Sequence, residues 1–174
     1  MGIRQLKQGW IVLGILVVVL LGNGCKKEYV HVGSNWDAIN KLQKPENTFS
    51  VQVAGTDSVK VGEPLRYTVT SEKNGKLWVV QVDPKDEVSM LFPNSKARDN
   101  SIQANNPLTV PPADDSWSIV ADEPKGESIV VFVVTTGDTD IDDVINNEKS
   151  MKKAIRVVEK AESWGFSKKV VEVR

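Results

Sequence analysis

Apolar residues run without a charge through Trp10–Leu21, and no later stretch matches that length. Arg4 and Lys7 precede the run, and Gly22-Asn23-Gly24 follow it. A positive start, a short apolar run and small residues at its end form the pattern of a secretory signal. As a helix, Trp10 to Gly22 would reach only about 20 Å, short of the ~30 Å hydrocarbon core of a bilayer. Residues 1–24 are therefore expected to be a signal peptide rather than a membrane span.

Farther along, the period of the apolar positions changes. In Ser34-Asn-Trp-Asp-Ala-Ile-Asn-Lys-Leu42, the residues Trp36, Ile39 and Leu42 fall on one face of a short helix. Ser34 is placed to cap it and Pro45 to end it. From Phe49 onward the alternation is twofold, as strands require. Phe49, Val51 and Val53 alternate with polar residues, and so do Leu65, Tyr67 and Val69. Asn74-Gly75 is the strongest hairpin signal in the chain. It predicts pairing between the 65–71 strand and Leu77–Val82. That second strand is apolar on both faces and should lie centrally. Further strands are predicted at Val88–Phe92, Trp117–Ala121, Ile129–Val134 and Val170–Val173. Near the end, Thr139 is placed to cap Ile141–Ile145. Ser150 is placed to cap a helix through Met151, Ile155 and Val158, stopped at Gly165.

This pattern predicts a mainly β fold: a single β-sandwich, immunoglobulin-like or related, with a short N-terminal helix and a C-terminal helix plus strand. Residues 25–48 are expected to hold a lipid anchor, a tether and the short helix, and residues 49–174 the sandwich with its C-terminal helix.

The single cysteine, Cys25, sits immediately after the signal. The position resembles the bacterial lipobox. Gly24 fits that motif; the large aliphatic residue, Leu21, stands one place earlier than usual. A thioether to diacylglycerol is made on sulfur, so Cys25 is the expected lipidation site. The membrane is then a partner through the N-terminal lipid, since several acyl chains hold firmly where one does not. The expected address is the bacterial cell envelope, on the periplasmic face of the outer membrane or the cell surface. A lone cysteine excludes an internal disulfide framework.

The whole chain carries 22 basic and 23 acidic residues. Removing Arg4 and Lys7 leaves 20 against 23, a mildly acidic remainder without the basic stripe that nucleic acid would need. No nucleic-acid partner is expected, and no cofactor.

Candidate chemistry is sparse. His31 is the one histidine and lies in the expected tether, a poor place for a Ser-His-Asp arrangement, and no thiol–imidazole cluster offers a zinc site. Asp138-Thr-Asp140-Ile-Asp142-Asp143 superficially resembles the start of a calcium loop, but its sixth position is Asp143 and its twelfth Lys149, where glycine and glutamate are needed. Acids at a helix N-terminus account for it better. The tryptophans after the signal are expected in the core, Trp78 above all.

The stretch from about Val59 to Val134 resembles the bacterial family called domain of unknown function 4384. The residues that carry the likeness are Val61-Gly-Glu-Pro-Leu65, Leu77-Trp-Val-Val80, Leu91-Phe-Pro-Asn94, Asp99-Asn100, Asn106-Pro-Leu-Thr-Val-Pro111 and Glu123-Pro-Lys-Gly126. Leu91–Asn94 is the most specific piece. The resemblance implies an extracytoplasmic β-sandwich module, often found in lipoproteins, with no established catalytic residues.

The functional expectation is a membrane-anchored, non-catalytic interaction or assembly module with an envelope protein as partner. Two alternatives stay open: a glycan or small-molecule binder using exposed aromatics, and a hydrolase using carboxylates such as Asp83, Asp86 and Glu87. The long polar connection from Pro93 to Pro111 is the first place to seek a binding surface, with Lys96, Arg98, Asp99 and Asn100 as its candidate residues. Asn and Asp also hold loops in shape by bonding their own backbone, and a scaffold role for this segment is the competing expectation.

Overall fold

A computed structural model describes residues 33–42 and 48–174. The signal run, Cys25, His31 and Pro45 lie outside the described residues.

Two strands organise the domain. β5 (Gly75–Val82) and β10 (Gly126–Thr135) pair antiparallel, with Trp78 opposite Val133 and Val80 opposite Val131. Successive side chains of a strand point to opposite faces, and here both faces are apolar. Leu77, Val79, Val130, Phe132 and Val134 enter one core, while Trp78, Val80, Val82, Ile129, Val131 and Val133 enter a second. A sheet buried on both sides needs a layer on each.

The first layer is a small sheet. β1 (Val51–Gly55), β4 (Tyr67–Ser71) and β8 (Leu108–Val110) pair in the order β1-β4-β8. They cover the first face with Val51, Tyr67, Val69 and Val110. Tyr67 meets Phe132 edge to face, with ring centroids 5.0 Å apart. The second layer is helical: α1 (Ser34–Lys41), a π-helical turn at Val144–Glu148 and α2 (Met151–Val158). Trp36, Ile39, Ile145, Met151, Ala154 and Val158 close the second core.

Between them, the large sheet runs β2-β11-β10-β5-β6 and is built from β2 (Ser58–Val59), β6 (Val88–Phe92) and β11 (Trp164–Val173) around the central pair. β7 (Ser101–Ile102) adds to the Gly75 end of β5. β3 (Pro64–Leu65) and β9 (Ile119–Val120) form a separate ribbon. The fold is thus a β-sandwich with small helices, and β5 lies centrally as its composition requires.

Several local expectations are corrected. Asn74-Gly75 makes no hairpin: β4 belongs to the small sheet and β5 to the large one, so the chain changes layers there. Neither residue has positive φ, which a type I′ turn demands. Gly75 serves close approach instead, because a Cβ there would stand 2.5 Å from the carbonyl oxygen of Thr135.

Ser34 does not cap α1. The cap position is Gly33, and no side chain at that position makes the capping bond. The Asp86 carboxylate, fifty residues away, accepts N–H groups at the start of α1. The helix expected in the tether is part of the domain, with Trp36 and Ile39 in the second core.

At Asp138–Asp143 it is Asp140, not Thr139, that accepts the first helical N–H, from Asp142 at 2.7 Å. The expected strand at Trp117–Ala121 shortens to two residues, and Trp117 stacks on Phe92. Ser150 caps α2 as expected, accepting from the Lys153 N–H. The helix ends at Val158, and Gly165 lies inside β11, which is longer than the expected Val170–Val173.

Candidate functional site

Where the Gly75 end of β5 meets the C-terminal ends of β6 and β10, the helical face of the sheet is left partly uncovered. Lys76 and Trp78 point to that face from β5, and Met90 joins them from β6. They floor a cleft of about 580 Å³. One wall is the connection after β6, through Pro93, Asn94, Ser95, Arg98 and Asn100; the other is the segment after β10, through Asp140, Asp142 and Asn146.

The first wall is rigid for local reasons. The Asn94 side chain accepts the N–H groups of Lys96 and Ala97 and donates to the carbonyl of Leu91. Asn100 donates through Nδ2 to the Leu77 carbonyl at 3.1 Å, and its own carbonyl accepts the Leu77 N–H at 2.7 Å. Asp99 accepts the Ser101 N–H at 3.0 Å, and hydrogen bonds from Ser101, hydroxyl and backbone, hold its carboxyl below the usual range. These side chains bind the loop to the sheet, as such residues commonly do.

Of the four residues proposed from sequence in this loop, Arg98 and Asn100 line the cleft, whereas Lys96 and Asp99 are not among its lining residues. Arg98 is exposed and Lys76 half-buried, and among the described residues neither forms an ion pair. On the opposite wall Asp140 is exposed and Asp142 half-buried. One oxygen of Asp142 accepts from Asn146 Nδ2 at 3.0 Å. Two cations without an ionic partner and two carboxylates therefore share one opening, on a floor of indole, thioether and aliphatic stem.

Sequence reasoning missed Lys76, a lone polar position at the start of a core strand. It also explained the acids at 138–143 by the helix start alone. Asp140 does cap, yet it also lines the cleft. Two of the carboxylates named for a hydrolase, Asp83 and Asp86, hold local structure. Asp83 accepts the N–H groups of Lys85 and Glu87 in its own turn, and Asp86 caps α1. Trp78 is buried, and its Nε1 donates to Thr135 Oγ1 at 3.1 Å. A second groove of about 630 Å³ lies between α1 and α2, over Ala38, Leu42 and Ile155.

A search of curated proteins finds no match to this chain. A family match covers residues 58–138, from β2 through β10. It takes in the floor of the cleft and the Arg98 wall; the Asp140–Asn146 wall, α2 and β11 lie beyond it. Residues 58–138 match the family described as Domain of unknown function (DUF4384).

Proposed function

We propose that this chain is a bacterial envelope lipoprotein, anchored through lipid on Cys25, whose β-sandwich is a non-catalytic module for binding another envelope protein. The observation that carries the reading is the position of Cys25: it follows a charge-flanked apolar run that ends in small residues. Cys25 is the one cysteine of the sequence, so no second thiol is present to pair with it.

The interaction role is supported by the cleft. Its floor and the Arg98 wall are braced by sheet and side-chain hydrogen bonds, and preorganised surfaces lose less entropy on binding. Of the carboxylates first considered for hydrolysis, Asp83 holds its own turn and Asp86 caps α1.

The test is made in cells fed a fatty-acid probe, with a photo-crosslinking residue placed at Ser95 in the cleft or at Glu127 on β10. Labelling that disappears in Cys25→Ser, and a discrete crosslinked envelope protein from position 95 but not 127, is the expected result. Equal labelling of wild type and Cys25→Ser, or the same crosslinks from both positions, would reject the reading.

A further inference from the structure

We propose that the partner segment taken by the cleft carries both an acidic and a basic side chain, read by opposite walls. This inference rests on the interaction role proposed above and adds the chemistry of the partner.

β5 lies between β10 and β6. The chain leaving β6 builds one side of the cleft, and the chain leaving β10 builds the other. The two kinds of charge are therefore separated by the fold. Arg98 comes from the β6 side, with Lys76 on the floor of β5, and Asp140 and Asp142 come from the β10 side.

A surface that satisfied itself would close these charges into ion pairs. Elsewhere it does: Lys153 pairs with Glu148, Lys41 with Asp37 and Lys169 with Asp57. Across the cleft, among the described residues, it does not, although both signs line the same opening. Each wall has its own frame: Asn94 and Asn100 tie one to the sheet, and Ile141 and Ile145 bury the other in the second core. Lys76 is half-buried, so part of its hydration is already lost without a carboxylate in return. An incoming carboxylate between Lys76 and Arg98 would be met by two unpaired cations, and Arg can hold it through two parallel N–H groups. An incoming ammonium or guanidinium would be met by Asp140 and Asp142. Complementary charge of this kind chooses partner and register more than it adds affinity. A segment of a single sign would meet repulsion on one wall, which makes the arrangement selective against it.

The test uses the full chain, recovered from membranes in detergent, and immobilised synthetic peptides. One set carries one glutamate and one arginine at varied spacing; control sets carry only acids, only bases, or neither. Wild type is expected to retain members of the mixed set at least tenfold better than any control. Lys76→Glu with Arg98→Glu, and separately Asp140→Lys with Asp142→Lys, are each expected to remove that preference. All four changes together are expected to restore binding to mixed peptides in reversed order. The neutral pair Lys76→Gln and Arg98→Gln, with an unchanged melting temperature, guards against loss by misfolding and is expected to weaken retention. Equal retention of acidic and mixed peptides, retention indifferent to the wall substitutions, or no retention of any peptide would overturn the proposal. Displacement of bound peptide by a small free zwitterion such as phosphorylethanolamine would overturn it too, in favour of a small-molecule site. A cleft that still crosslinks to an envelope protein from position 95 while ignoring mixed peptides overturns this inference alone and leaves the interaction role standing.

Discussion

The carboxylate of Asp86 accepts the backbone N–H of Trp36 at 2.9 Å and that of Asn35 at 3.0 Å. It supplies from fifty residues away the cap that α1 lacks locally. Asn35 completes the junction: its Nδ2 donates to the Asp86 carbonyl, and its Oδ1 accepts the first N–H of α2, from Met151. The start of the domain is thereby fixed to the β5–β6 turn and to the second helix at once.

Asp86→Ala removes this cap and also places alanine at a φ of 67°, a left-handed conformation that Asn and Asp tolerate and alanine resists. A loss of about 2 kcal/mol is expected from the cap and the backbone together. Asp86→Asn, which keeps an acceptor and tolerates the φ, should lose less than half of that. Chemical denaturation gives both values, and amide exchange at Asn35 and Trp36 should accelerate in the alanine variant.

Gly75→Ala tests why that glycine is there. With a Cβ aimed 2.5 Å from the Thr135 carbonyl oxygen, β5 and β10 must separate at the end of their ladder, where Lys76 pairs with Thr135. A loss on the order of 2 kcal/mol or more is expected. A neutral or stabilising effect in the melting curve would show that the two strands do not approach there.

Trp78→Ala should cost ~3–5 kcal/mol, as for other fully buried large side chains, because it empties the second core beside Val133 and frees the Thr135 hydroxyl. Trp117→Ala removes only a half-buried stack on Phe92 and should cost about 1 kcal/mol.

The Tyr67 hydroxyl is buried without a hydrogen-bond partner among the described residues. Burial first, and the carboxylate of Asp57 second, raise its pKa well above that of free tyrosine. The unfolded phenol ionises near ~10. Folded stability is therefore unaffected by this group below that value and falls as pH rises past it, because only the unfolded chain then gains from ionisation. In Tyr29→Phe, which leaves Tyr67 as the one tyrosine, phenolate absorbance should appear together with loss of the folded circular dichroism. Reversible ionisation near ~10 in a folded domain would contradict this.

How much of this was legible in the chain depends on how far each signal reaches. Period two and twofold-apolar strands place β5 and β10, because alternation is a property of neighbouring residues. Ser150 is a readable cap because its bond is made three residues away. Asn74-Gly75 misleads because a turn preference is local, whereas the choice between two sheets is settled by burial across the whole domain. The Asp86 cap and the approach of Thr135 to Gly75 are long-range contacts that no window displays. The cleft divides the same way. The polar loop from Pro93 marks one wall, while Lys76 and the second role of Asp140 emerge only when β5 and the chain after β10 are brought together.

Attachment through Cys25 is decided by mass spectrometry of the chain recovered from bacterial membranes. Trypsin cuts after Lys26, so the N-terminal fragment is small and its acyl mass is read without ambiguity. The account predicts an N-terminus at Cys25 bearing a diacylglyceryl thioether, with Cys25→Ser recovered unlipidated. A chain that begins at Met1, or one that begins at Cys25 with an unmodified thiol, would contradict it.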